Sequence, residues 1–250
     1  MSKFSIHNLE CIRQNNMLFR GLNFSIKDGD LLQINGANGS GKSTLLKAIF
    51  GLTNIFSGSI FLNSNNIVNL SPHAIARLGL AYLPQTDNIF ADLSIKDNLL
   101  MSSYTINSVD SKKRISEILN IFPILSDLYN SKAGNLSGGQ RQMLAMGMSL
   151  IRKPKIMLFD EPTSNLDPFN QSEVMNLILN SSLKKPVTTI VSTHNINFAW
   201  KFNRIIMIKN GVIFKDGSPN KIINSKNLST LYEKDIKVKI INNKHFVLTH

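Results

Sequence analysis

Eight consecutive residues, Gly36-Ala37-Asn38-Gly39-Ser40-Gly41-Lys42-Ser43, have the types and spacing to hold a polyphosphate. Glycines let a loop turn sharply, so that successive backbone N–H groups point inward at phosphate oxygens. Lys42 adds a full positive charge for the outer phosphates, and the Ser43 hydroxyl can ligate Mg²⁺, in the pattern G-x-x-x-x-G-K-[ST]. The competing reading is a plain Gly/Ser-rich turn. It leaves unexplained why a strand enters the segment and a helix leaves it.

Further polar residues stand at the ends of apolar segments. Asp160 closes the run Ile156-Met157-Leu158-Phe159 and is followed by Glu161. A carboxylate there can hold Mg²⁺ through water, and a second beside it can orient or deprotonate an attacking water. Leu136-Ser137-Gly138-Gly139-Gln140 is a second glycine-turn-helix element. It has no lysine, so it reads as an accessory anion clamp, or as no more than a helix cap built from Ser and Gly. Gln85 follows a strand and Pro84, where an amide can reach a metal or water. His194 ends another strand; taken alone it reads as a satisfied loop histidine.

The elements that must position these groups are legible in the pattern. Residues 3–35 read as strands, with Leu22, Phe24 and Ile26 alternating with polar residues and Asp28-Gly29 turning into a strand over 30–35. Residues 43–50 read as a helix with Leu45, Leu46, Ile49 and Phe50 on one face and Gly51 as its stop. Its N-terminus adds partial positive charge at the loop. A short strand follows at 59–62, a helix from Ser71-Pro72 to near Gly79, and an apolar strand at 80–83. Residues 86–153 turn helical. Ser94 caps a helix carrying Ile95, Leu99 and Leu100, with Asp97 in the capping-box position. Ile115, Ile118, Leu119 and Phe122 make a core-facing stripe in the next helix, and the segment Asn135 to Gln140 opens a third. Apolar strands at 155–160 and 187–191 read as buried on both faces, with a helix at about 171–180 between them. Asn210-Gly211 sets a hairpin, and the last 25 or so residues read as a small strand-bearing appendage. The expectation is an α/β fold around a phosphate-loop core.

The 250 residues are enough to bury a real core, and the single Cys11 suits a reducing compartment. No apolar stretch has the length of a signal peptide's core near the N-terminus, and none reaches the length that crosses a bilayer. The formal charge of +12 is spread out, denser over the last fifty residues. It reads first as a lysine-rich solvated surface and second as attraction to an anionic membrane face. No aromatic-interleaved basic stripe suggests a nucleic-acid partner.

Together and in this order the motifs resemble the ATP-binding subunits of ABC transporters. The match comprises GANGSGKST at 36–44, Gln85, LSGGQ at 136–140, IMLFDEPTSNLD at 156–167 and His194. The resemblance implies a P-loop NTPase core with an N-terminal antiparallel subdomain and a helical subdomain at about 86–153, all within 1–225, and an appendage at 226–250. It implies that ATP and Mg²⁺ are bound. Gly36, Asn38, Gly39, Ser40, Gly41, Lys42, Ser43 and Thr44 would form the phosphate site. Ser43, Gln85 and Asp160 would serve the metal. Glu161 would be the catalytic base, with His194 steadying the γ-phosphate and Gln85 at the attacking water. Residues 164–167 resemble the loop that contacts a partner subunit.

The family works as a head-to-tail dimer in which Ser137 and Gly139 of one copy close over the ATP of the other. That implies a second copy or a paralogue as partner, separate transmembrane permease subunits, and, for an importer, a solute-binding protein. It implies a place on the cytoplasmic face of the inner or plasma membrane. Two departures stand out. Arg13 lies near where the family often has an aromatic that stacks on adenine, a contact a guanidinium plane can also make, and Met148 replaces a frequent arginine. The tail from Asn227 resembles ATPases of iron-chelate, haem and cobalamin importers. The segments from Leu83 to Leu100 and from Leu119 to Met146 are closer to branched-chain amino-acid importers, and the N-terminal third resembles a haem exporter's ATPase. Import of the first class is the leading expectation. A soluble ABC protein of DNA repair or translation usually has two cassettes or a long coiled-coil insertion, which are lacking here. A regulatory module without turnover would be expected to lose Glu161.

Overall fold

The structure is a computed structural model that describes residues 4–13, 16–86, 88–164, 166–184, 187–241 and 244–249. The first third runs β1 (Phe4–Arg13), β2 (Asn16–Ile26), β3 (Leu31–Asn35), α1 (Lys42–Ile49), β4 (Ser57–Leu62), β5 (Asn65–Asn66), α2 (Pro72–Arg77) and β6 (Leu80–Leu83). Four helices follow: α3 (Ile95–Ser102), α4 (Ser108–Ile121), α5 (Pro123–Asp127) and α6 (Gly138–Leu150). Then come β7 (Ile156–Asp160), α7 (Pro168–Lys184), β8 (Thr188–Ser192), β9 (Arg204–Lys209) and β10 (Val212–Gly217). The chain ends in α8 (Pro219–Ile222), α9 (Ser225–Tyr232), β11 (Ile236–Ile241) and β12 (Lys244–Thr249).

Among the described residues the strands form three sheets. An antiparallel sheet runs β2-β1-β4-β5, and β11-β12 is a separate hairpin. The central sheet runs β10-β9-β3-β8-β7-β6, parallel from β9 to β6 with β10 antiparallel at its edge. Every residue of β7 and of β8 is buried, as strands covered on both faces must be.

Alternation along the central strands divides the core. Leu32, Ile34, Leu158, Ile190 and Leu80 pack with α1 and the antiparallel sheet. Met157, Phe159, Val191 and Leu83 turn the other way, onto α3, α4, α6 and α7. A third apolar cluster joins Ile205 and Met207 of β9 to Ile222, Leu228 and Leu231 near the C-terminus. Side chains of even number at the ends of β6, β7 and β8 therefore face the start of α1. That face carries the site.

Three local expectations are corrected. Leu100 is 41% exposed, so the buried face of α3 is Ile95, Asn98 and Leu99. The helix expected at 171–180 spans Pro168–Lys184, because the Asp167 carboxylate accepts from the N–H groups of Phe169 and Asn170 and starts it earlier. Asp97 does not complete a capping box. Its carboxylate accepts from the Ser94 hydroxyl at 2.6 Å, while the Asp97 N–H donates to the same oxygen.

Candidate functional site

The end of β7 brings its carboxylate to the start of α1. Asp160 is 3% exposed and accepts three hydroxyl hydrogen bonds. Its Oδ1 receives Ser43 Oγ at 2.8 Å and Ser192 Oγ at 2.7 Å, and its Oδ2 receives the Tyr82 hydroxyl at 3.1 Å. The strand register brings these groups together: Asp160 pairs with Ser192 on β8, and Tyr82 on β6 pairs with Leu158, two residues before Asp160 on β7. Burial, and then the Asp160 charge, push the Tyr82 pKa up, so the phenol remains a donor.

Glu161 leaves the strand at φ +46°, a left-handed conformation that costs a non-glycine residue about 1–2 kcal/mol. Its N–H donates to the Ser192 carbonyl at 3.0 Å, which anchors that turn. The bend aims the side chain back at the phosphate loop. Glu161 Oε2 lies 2.9 Å from His194 Nδ1 and accepts from the His194 N–H at 3.3 Å, while Oε1 lies 3.7 Å from Lys42 Nζ. Lys42 also donates to the carbonyls of Gly36 at 2.9 Å and Ala37 at 3.1 Å. Its ammonium thus crosses the mouth of its own loop. Burial lowers the Lys42 pKa, and Glu161 and Asp160 oppose that shift.

The loop itself requires its glycines. Gly41 caps α1 at φ +93°, and a Cβ on Gly36 would stand 2.6 Å from the Ile208 carbonyl oxygen. The Ser40 hydroxyl is buried and hydrogen-bonds to nothing among the described residues. An orphaned donor, a backbone cradle and a buried ammonium together fit an anionic phosphate chain. For a metal, Ser43 and Asp160 offer hard oxygens of the kind Mg²⁺ takes alongside phosphate oxygens. A cavity of about 510 Å³ opens here, lined by residues 38, 39 and 41–44 of the loop and α1 with Leu18, Gln85, Glu161 and His194. Gln85 reaches it while its Nε2 donates to Ser164 Oγ at 3.0 Å. A second cavity of about 270 Å³ touches residues 37–40 and Tyr232, but Lys42, Glu161 and His194 do not line it.

Loop, metal-type and acid–base residues are thus brought together. Ser137 and Gly139 are not. Ser137 is the exposed N-cap of α6, in a capping box: its Oγ accepts from the Gln140 N–H at 3.3 Å, and its N–H donates to Gln140 Oε1 at 3.0 Å. Gly139 is packed under Asn170. Neither residue lines the cavity. Arg13 ends β1, but its side chain lies outside the described part of the structure, as do Asn165 of the expected partner-contact loop and His250 of the tail.

Tyr82 and Ser192 are the site residues that sequence reasoning passed over. Each sits in a strand that otherwise reads as apolar core. The available signal was a hydroxyl at the last even-numbered position of each strand beside Asp160.

Residues 19–164 match the family model described as ABC transporter. The branched-chain amino acid transport ATP-binding protein LivF of Archaeoglobus fulgidus, so named as probable, is 40% identical over 208 residues, covering 82% of this chain and 88% of that one. The lipoprotein-releasing system ATP-binding protein LolD of Rickettsia prowazekii is 36% identical over 207 residues, covering 80% and 92%. Among solved structures, an inward-facing ABC transporter described as of metal-chelate type superimposes with a TM-score of 0.82 at 27% identity, covering 99% of this chain and 96% of that one.

Proposed function

From the premise that this chain belongs to the ABC transporter family, as an ATP-binding, ATP-hydrolysing subunit, we propose that residues 36–44 hold the ATP phosphates and that Glu161 activates the attacking water. The observation that carries the reading is the chain of contacts Lys42–Glu161–His194 at the mouth of the loop. Among the described residues Glu161 is the one carboxylate lining that cavity, which supports reading it as the group that accepts a proton from water. His194, its side chain 54% exposed, has the reach to meet a terminal phosphate. Ser43, Asp160 and Gln85 would hold Mg²⁺, whose charge would offset that of the phosphates.

Ser137 and Gly139 act across a dimer interface. Their absence from the cavity of their own chain supports a second copy, or a paralogue, supplying them head to tail. Residues 86–153 form the helical subdomain of a cassette spanning 1–225, with 226–250 as an appendage. No helix among the described residues is long and apolar enough to cross a membrane. Separate permease subunits provide the path. The chain then sits peripherally at the cytoplasmic face.

For cargo, import of an iron chelate, haem or cobalamin is favoured, with a solute-binding protein as the further partner. The support is the 99% coverage by the metal-chelate type structure, which takes in α9 and nearly all of the terminal hairpin. Branched-chain amino-acid import is the second reading, favoured by 40% identity to the LivF relative. Reconstitution with the cognate permease decides it. ATP turnover stimulated by a loaded chelate-binding protein is expected; stimulation by a branched-chain amino acid instead overturns the first reading.

A further inference from the structure

We propose that Tyr82 is a positioning residue for the metal site: its hydroxyl, with that of Ser192, fixes the Asp160 carboxylate in the orientation that sets it beside Ser43. The inference rests on the reading of Asp160 as the metal-holding carboxylate.

The terminal torsion of an aspartate is broad and roughly two-fold, so a buried carboxylate is oriented only by what it accepts. In Asp160 the two oxygens are told apart. Oδ1 takes both serines, and Oδ2 takes the phenol of Tyr82 at 3.1 Å. The phenol is itself held. Its ring packs against Phe50 at the end of α1, centroids 5.6 Å apart, and Tyr82 lies at a fixed register on β6 beside β7. Carboxylate, phenol and the Ser43 hydroxyl are thus referenced to one helix, α1, from both of its ends. Ser192 adds the link to chemistry, because its Oγ, which donates to Asp160, also lies 3.2 Å from the Glu161 N–H as an acceptor. Moving the carboxylate would therefore disturb the turn that aims Glu161. A phenylalanine would fill the apolar part of the Tyr82 site equally well, so the hydroxyl is the group that needs a reason.

The test uses the full chain, a non-hydrolysable ATP analogue and Mn²⁺ as the metal probe, with free Mn²⁺ read by its paramagnetic resonance signal. Tyr82→Phe is expected to weaken Mn²⁺ binding to the protein–nucleotide complex by about tenfold, as loss of an outer-shell partner does. Nucleotide affinity measured in chelator, without metal, should stay at the native value. Native Mn²⁺ affinity in Tyr82→Phe, with or without a loss of thermal stability, overturns the proposal. If that variant fails to fold, Ser192→Ala reads the same frame, and native Mn²⁺ affinity there overturns it equally. Asp160→Asn is measured alongside. Native metal binding in that variant would sink the assignment of Asp160 itself, and the proposal with it.

Discussion

Replacing Glu161 with glutamine separates two things the carboxylate does. It faces the buried Lys42 ammonium at 3.7 Å, with the two side chains 10% and 6% exposed. Removing one partner of a buried ion pair costs about 3–5 kcal/mol when the other charge is stranded. Lys42 is not wholly stranded, since it keeps two carbonyl acceptors and a nearby Asp160. A loss of roughly 2 kcal/mol follows, which for a chain of this size lowers the melting temperature by about 4–8 °C. The glutamine carbonyl can still accept from the His194 N–H, so the turn at φ +46° survives. With ATP present, phosphate charge stands in for the lost carboxylate, and the stability gap should close. Turnover should not recover, because loss of a general base costs about 10²–10⁴-fold. The assays are thermal unfolding with and without ATP, and phosphate release. An unchanged melting temperature without nucleotide would refute the placement of Glu161 against Lys42. Turnover within tenfold of native would refute its role as base.

Gly36→Ala would drive a Cβ to 2.6 Å from the Ile208 carbonyl, a backbone atom that cannot step aside; about 1–3 kcal/mol of stability is expected to go, with nucleotide affinity, by denaturant titration and calorimetry. Gly139→Ala would meet Asn170 Oδ1 at 2.6 Å, far enough from the cavity that ATP affinity should hold while turnover falls; loss of affinity instead would contradict a role across the interface. Because burial lowers the Lys42 pKa from 10.5, the folded chain binds fewer protons there than the unfolded one, so this group's contribution to stability rises with pH from the lowered value up to 10.5. Phosphate pulls the pKa back up, so ATP binding in that alkaline window should take up protons; heats independent of buffer ionisation would contradict it.

The pattern of residue types carried most of the fold, because its signals are local. Gly36 to Ser43 lie within one stretch, the run at 156–159 is continuously apolar, and 187–191 is rich in β-branched residues, as doubly covered strands can be. The start of α7 was missed because Asp167 reads as part of a longer motif, yet its side chain acts as a cap. Leu100 was misplaced because one apolar residue beside a stripe shifts a helical face by a full 100° step. Tyr82 and Ser192 were passed over for a different reason. Their role depends on which strands lie beside β7 and in what register, and neighbours in a parallel sheet are far apart in sequence. That Ser137 does not line the cavity of its own chain is likewise a three-dimensional fact.

The central claim is that one copy holds only half of a working site, since Lys42 and Glu161 line the cavity and Ser137 does not. ATP turnover per chain, measured over a wide dilution series without membrane subunits, tests this directly. The rate per chain should fall steadily toward zero as pairing is lost. A rate per chain that stays constant down to the lowest concentration would contradict the claim.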